Sequence, residues 1–226
     1  MDTCPTCGGT LGTSAPGWCD GCGSGVRLGA PLLLDWLLPG AAGLRAEGAA
    51  SSDPLDWPGY AAEHADTRAR TGVDESVVTT VGRLAGSAVE VVAVAWDFGF
   101  FGGSMGVIAG QRIAAAYDTA RERGLPVVLL PSTGGARMQE GMAALVQMAA
   151  TTVAATRHAD AGLLSVAVLR DPTTGGVFAS HANLADVVLA EPGATIGFAG
   201  PRVAAAMTGG PLPEGSHTAR GARAAM

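Results

Sequence analysis

The sequence predicts an α/β protein with a small cysteine module at its N-terminal end. Three observations carry this. From Ser76 onward, short β-branched runs alternate with segments of helical period, the pattern of a sheet covered by helices. Twice, an apolar run ends in a Gly-Gly turn that leads into a further helical pattern: residues 127–130 precede Pro131-Ser132-Thr133-Gly134-Gly135-Ala136-Arg137, and residues 163–169 precede Asp171-Pro172-Thr173-Thr174-Gly175-Gly176-Val177. All four cysteines fall within the first 22 residues, as Cys4-Pro5-Thr6-Cys7 and Cys19-Asp20-Gly21-Cys22.

A chain of 226 residues holds one large domain, or one domain and a small module. The hydrophobic fraction of 48% supports a real core, while 34 glycines and only 5% aromatics require helices and turns to pack closely. The net charge of −6 argues against nucleic acid as the main partner, because that affinity comes from many Lys and Arg contacts to phosphate. No apolar run reaches membrane-spanning length, and Met1-Asp2-Thr3-Cys4 lacks the charged-then-apolar pattern of a signal peptide. The expected location is therefore cytoplasmic, with no membrane partner.

In chain order, the cysteines form two C-x2-C pairs separated by eleven residues, and glycines follow Cys7 and Cys22. Four thiolates in two pairs match closed tetrahedral zinc, a structural site. Two disulfides or a redox C-x2-C are the alternatives, and the missing secretion signal favours zinc. Residues 1–26 are read as this zinc-ribbon knuckle, 27–52 as a linker and packing segment, and 53–226 as the main domain. Residues 31–38 are strongly apolar, suited to a helix packed on the body or to a partner contact. Residues 39–53 read as a linker, and 63–71 as a polar surface helix. Runs 76–82 and 88–96 predict a β-hairpin. Ser104 is the expected N-cap of the next helix and Gly124 its C-terminal glycine. The helix expected over 138–157 shows its apolar face at Met138, Met142, Leu145, Met148, Ala149 and Val153. Residues 182–185 are expected to open a short helix, and 186–190 to form a strand.

A strand, a Gly-Gly turn and a helix N-terminus aim backbone N–H groups at one point, with the helix dipole behind them. That geometry suits an oxyanion; a plain tight turn is the alternative. The turn Phe101-Gly102-Gly103-Ser104-Met105-Gly106 has the wrong spacing for a dinucleotide fingerprint, and no P-loop is present. His64, His158, His181 and His217 have no metal spacing, so a surface or satisfied polar role is expected. Ser132 and Ser180 do not sit in G-x-S-x-G. Arg137 and Arg202 each follow a Gly-rich turn and suit either a phosphate or carboxylate of a ligand or a structural ion pair.

The stretches DFGFFGGSMG (97–106), STGGARMQEG (132–141), DPTTGGV (171–177) and EPGATIGFAGPRV (191–203), together with the cysteine knuckle, closely resemble the β subunit of bacterial acetyl-CoA carboxylase carboxyltransferase. That family belongs to the crotonase-like superfamily. The resemblance covers roughly residues 53–215. It implies stacked ββα turns behind a zinc-ribbon module, and an α2β2 assembly with a carboxyltransferase α subunit. It also implies a biotin carboxyl carrier protein and a biotin carboxylase in the wider complex. The implied reaction moves a carboxyl group from carboxybiotin to acetyl-CoA, giving malonyl-CoA for fatty acid or polyketide synthesis. By position, Gly175 and Gly176 match the family's oxyanion glycines. Gly134 and Gly135, with Ala136 and Arg137, are expected to line the coenzyme A channel. Gly102, Gly103, Gly197, Phe198 and Arg202 are expected to shape the same pocket, with pure packing as the alternative for the glycines.

The chain departs from the family in closer cysteine pairs, in an apolar rather than basic segment at 31–38, in Val177-Phe178-Ala179-Ser180-His181 after the second Gly-Gly turn, and in the short stretch after Gly215. Residues 216–226 are expected to lack fixed structure. Two further readings stand beside carboxyl transfer: a subunit that decarboxylates a malonyl thioester, and a non-catalytic structural subunit. With one such unit in the chain, apolar surface left for a partner is expected around 138–148 or 31–38.

Overall fold

The computed structural model describes residues 7–9, 19, 21–22, 25–43 and 53–221. Its frame is a six-stranded sheet in the order β1 (Ala42–Gly43), β2 (Val77–Arg83), β3 (Glu90–Trp96), β4 (Val127–Leu130), β5 (Ser165–Leu169), β7 (Val187–Ala190). The expected hairpin forms it on one side: β2 (Val77–Arg83) runs antiparallel to β3 (Glu90–Trp96), with Val77 opposite Trp96. Beyond β3 the strands run parallel, through β4 (Val127–Leu130) and β5 (Ser165–Leu169) to the edge strand β7 (Val187–Ala190).

Strand β3 shows why the sheet is covered on both faces. Its residues are buried from Val91 to Trp96. Val92, Val94 and Trp96 face a core shared with Ala109, Ile113, Ala116 and Tyr117 of helix α3 (Val107–Arg123). Val91, Ala93 and Ala95 face Ala30, Leu34 and Leu38 on the other side. The period of two along one strand thus feeds two cores. The second core comes from the apolar segment after the knuckle, which forms helix α1 (Ala30–Leu37) and packs on the body. The 39–53 stretch is not all linker: within it β1 (Ala42–Gly43) pairs with β2.

Helix α2 (Tyr60–Thr71) forms where a polar helix is expected, but Tyr60, His64 and Thr67 are buried, so one face belongs to the interior. Ser104 does not cap α3. The N-cap is Gly106, and the Val107 N–H donates to Glu140 Oε2 at 2.6 Å, a carboxylate brought from another element. Gly124 closes that helix as expected, in the left-handed conformation.

Helix α4 (Gly141–Asp160) corrects the expected apolar face. Its buried residues are Ala144, Thr151, Ala154, Ala155 and His158, whereas Met138, Met142, Leu145 and Val153 are exposed. The reason is close approach to α3: a Cβ on Gly110 would overlap the Gln147 side chain. Small residues permit that distance where large apolar ones would hold the helices apart. The exposed apolar surface expected around 138–148 is present. Among the described residues, no helix is long and apolar enough to cross a membrane.

After each parallel strand the chain makes a short crossing stretch in a second layer and then a helix. Strand β4 is followed by Thr133 and, beyond a 3-10 turn, by α4; β5 by β6 (Thr173–Thr174) and α5 (Gly175–Ala179); β7 by β8 (Ile196–Gly197) and α6 (Pro201–Thr208). Thr133 bridges Thr173, and β6 pairs with β8, so the second layer runs across all three turns. Helix α5 opens at Gly175 itself rather than at 182–185, which form a 3-10 turn over Ala182–Leu184. The tail also departs from expectation. Thr218 bridges Thr195, the Ala219 N–H donates to Ala194 O at 2.9 Å, and Ala219 packs against the core, so residues 216–221 are built onto β8. Residues 222–226 lie outside the described ones.

Candidate functional site

The second layer brings the two Gly-Gly turns face to face. The Thr133 N–H donates to Pro172 O at 2.6 Å and the Thr174 N–H to Thr133 O at 2.9 Å. A Cβ on Gly175 would lie 2.8 Å from Gly135 Cα and 2.9 Å from Gly134 O. A Cβ on Gly135 would lie 3.1 Å from both Gly175 Cα and Gly176 N. Gly135 has φ +113° and Gly175 φ +69°, so both positions favour glycine by conformation as well as by space.

The turns differ in what their N–H groups do. The Gly134 N–H donates to Gly102 O at 2.9 Å, and the Gly135 N–H to Thr133 Oγ1 at 2.9 Å. Both donors of the first turn are spent internally. Gly175 and Gly176 instead form the first turn of α5, where N–H groups have no intrahelical acceptor, and no side chain caps them. Their residues are half-buried, so these N–H groups are the open donors of the pair.

Other sequence-predicted residues brace this arrangement. Gly103 packs so closely on the Ser132 carbonyl that a Cβ there would overlap it. Ala136 bridges Met105, whose N–H donates to Gly135 O at 2.8 Å. Gly197 pairs with Thr174 in the second layer. Gly102, Gly103, Ala136 and Gly197 therefore gather around the two turns. Phe198 and Arg202 lie beyond β8 on the surface, Phe198 73% exposed.

Arg137 takes the structural role that the sequence left open beside ligand binding. Its side chain is fully buried and pairs with Glu75 and with Glu140, the latter at 3.0 Å. It also donates to Tyr60 Oη at 3.0 Å and to Ser104 O at 2.8 Å. Burial works against its charge, but the contacts with Glu75 outweigh that and raise its pKa. Burial likewise pushes the Tyr60 hydroxyl well above its usual range and lowers the pKa of His64. Glu75, Glu140 and Tyr60 were not singled out from the sequence. Arg137 and Glu140 at i, i+3 were visible there, but Tyr60 and Glu75 come from elements far apart in the chain.

Three of the four histidines are buried rather than exposed: His64, His158 and His181. His158 Nε2 lies 3.0 Å from Leu125 O. His64 sits among the rings of Tyr60, Phe100 and Phe101. His181 lies behind α5, stacked on Trp96 with centroids 5.7 Å apart.

Of the expected zinc ligands, Cys4 lies outside the described residues. The sulfur atoms of Cys7, Cys19 and Cys22 lie within 4.8 Å of one another, and Cys7 and Cys19 are 3.6 Å apart. That separation is far beyond a disulfide bond of about 2.05 Å. It matches the edge of a tetrahedron of thiolates at about 2.3 Å from zinc, roughly 3.8 Å. A Cβ on Gly9 would lie 3.3 Å from Cys7 Sγ, and one on Gly21 3.7 Å from Cys19 Sγ, so backbone folds tightly around the sulfurs. The donor set fits zinc.

Fold and site together define an α/β carboxyltransferase architecture. The chain belongs to the carboxyl transferase domain family, which matches residues 53–226. It is 50% identical over 169 residues to the acetyl-coenzyme A carboxylase carboxyl transferase subunit beta of Chelativorans sp. (strain BNC1), covering 74% of this chain and 54% of that protein. With the same subunit of Synechococcus sp. (strain JA-3-3Ab) it shares 44% identity over 225 residues, covering 96% of this chain and 71% of the relative. The chain thus spans about half the length of one of these relatives and under three quarters of the other. Among solved structures, it matches transcarboxylase 12S with hydrolysed methylmalonyl-coenzyme A bound, at TM-score 0.69 and 25% identity, covering 88% of this chain and 36% of that one. It matches the Pseudomonas malonate decarboxylase MdcD–MdcE hetero-dimer at TM-score 0.66 and 26% identity, covering 88% of this chain and 76% of that one.

Proposed function

We propose that this chain is the β half of a biotin-dependent acyl-CoA carboxyltransferase, with acetyl-CoA as acceptor and malonyl-CoA as product, acting in the cytoplasm. The observation that carries the reading is the contrast between the two turns: only Gly175 and Gly176 keep N–H groups open, beside a second turn close enough to wall the site. Carboxybiotin, held on a separate carrier protein, supplies the carboxyl group. The chain's part is electrostatic. Forming a nucleophilic carbon next to a thioester puts negative charge on the thioester oxygen, and preorganised N–H donors stabilise it without reorganising. The family membership and the names of the relatives support the reaction class. The expected partner is a carboxyltransferase α subunit in an α2β2 assembly, with biotin carboxyl carrier protein and biotin carboxylase in the wider complex.

The test is to mix the purified chain with an α-type subunit and follow malonyl-CoA decarboxylation with biocytin as the carboxyl acceptor. Biocytin-dependent turnover by the mixture, and none by the chain alone, is the expected result. Turnover by the isolated chain would overturn the need for a partner. A second reading, decarboxylation of a malonyl thioester, is supported by the fit to malonate decarboxylase, of which the chain covers 76%. Turnover that ignores biocytin would favour it.

Cys4, Cys7, Cys19 and Cys22 would hold one structural zinc, which stabilises a loop too small to build its own core. Metal analysis of freshly purified protein is expected to give about one equivalent per chain. A value below about a tenth of an equivalent would count against zinc.

A further inference from the structure

Behind the second Gly-Gly turn lies a polar chain that the proposed reaction does not use. Helix α5 has only five residues, too few to hold its own shape, so the direction of its first N–H groups depends on what grips its far end. That grip is made by side chains. Ser180 Oγ lies 2.7 Å from Gly176 O, Thr151 Oγ1 of α4 lies 2.8 Å from Gln147 O, and His181 Nδ1 lies 3.1 Å from Ser180 Oγ and 2.9 Å from Thr151 Oγ1.

Proton counting fixes the tautomer. A hydroxyl has one proton to donate, and a carbonyl oxygen can only accept. Ser180 spends its proton on Gly176 O, and Thr151 spends its own on Gln147 O. Both hydroxyl oxygens can then only accept from the ring, so Nδ1 carries the hydrogen and shares it between them. Nε2 is left as a bare nitrogen, buried and without a hydrogen-bond partner. Burial also lowers the His181 pKa to about 3, so the ring stays neutral.

We infer that His181 is a positioning residue: its Nδ1–H locks Ser180 and Thr151 together, and so holds α5 against α4 with the Gly175 and Gly176 N–H groups correctly aimed. The inference rests on the oxyanion reading of those two glycines for its catalytic consequence, but its geometric part stands on this chain alone.

The test combines nitrogen NMR of the full chain with kinetics of the chain mixed with its α-type subunit. Asparagine places an amide N–H where Nδ1 lies, glutamine places one nearer Nε2, and leucine removes both. An Nδ1–H signal is expected in the unaltered protein. His181→Leu is expected to shift the Gly175 and Gly176 amide resonances and to lower kcat about tenfold with KM for the acyl-CoA unchanged, the signature of a misaimed donor. His181→Asn is expected to restore both, and His181→Gln to restore neither. Should His181→Leu fail to fold, Ser180→Ala cuts the same chain at its other end, and the same amide shifts are expected. An Nε2–H signal would overturn the inference. So would unmoved glycine amides and kcat in both His181→Leu and Ser180→Ala, or rescue by Gln but not by Asn. If even the unaltered mixture does not turn over, the oxyanion reading fails, and the amide resonances alone decide whether His181 aims the turn.

Discussion

The two Gly-Gly turns look alike in sequence and use their N–H groups differently. Each follows a parallel strand, and each places one glycine at positive φ against the other turn. The first turn has its donors already spent: Gly102 and Thr133 take its N–H groups, Met105 donates to its carbonyl, and Arg137 anchors its end in a buried ion cluster. The second opens a helix, where its N–H groups have no intrahelical acceptor and no side-chain cap. In the proposed reading, the first turn is the wall and the second the binding edge. The lesson is that a glycine pair becomes a candidate oxyanion site through what its N–H groups are not already bonded to, not through the glycines themselves.

The largest expected effect tests what holds the wall. Arg137→Met leaves Glu75 and Glu140 buried without their partner, and breaking a buried pair in this way costs about 3–5 kcal/mol. Urea unfolding should show a sharply lower midpoint; an unchanged midpoint would mean the cluster does not support the first turn.

Next comes the binding edge. Gly176→Val puts a side chain against Met148, whose sulfur lies 2.7 Å from the site of the new Cβ. Turnover of the chain mixed with an α-type subunit should fall at least about a hundredfold while the fold persists. Near-normal turnover would move the site to the other turn.

Gly135→Ala probes the contact between the turns. At φ +113°, with backbone of the other turn 3.1 Å away, alanine is strained and pushes the two apart. A stability loss of about 1–3 kcal/mol is expected, with a fall in turnover smaller than that of Gly176→Val. An additive result in the double variant with Gly176→Val would deny that the turns are coupled.

The smallest effect belongs to Gly134→Ala. This residue is exposed, and a Cβ there meets only Gly102 O at 3.7 Å. Stability should change by no more than about 0.5 kcal/mol, and turnover should stay near that of the unaltered chain. A loss as large as that of Gly176→Val would reverse the roles assigned to the two turns.

Much of the frame was legible in advance. The hairpin, the positions of the later strands and Gly124 as helix terminator all follow from local pattern, because a period of two and a helix-ending glycine are properties of short stretches. The face of α4 was not. Its Met142 and Leu145 have the spacing of a buried stripe yet are exposed, and of that stripe only Met148 packs on the core; Ala144, Ala154 and Ala155 are buried instead, since α3 approaches too closely for large side chains. The cap of α3 was missed for a related reason: Glu140 reaches it from a segment 33 residues further on, which no local motif records.

The sequence by itself determined the class of protein, the two glycine turns and the cysteine pairs, because each rests on residue types at short spacing. Only the tertiary structure decided which turn keeps its donors free, that Arg137 serves the interior, and that Thr151, Ser180 and His181 meet behind α5. Those outcomes depend on which hydrogen-bond partners lie nearby. Partners such as Gly102 for Gly134, Glu75 for Arg137 and Thr151 for His181 stand about 30 or more residues away in the chain and come within reach only when the sheet stacks its turns.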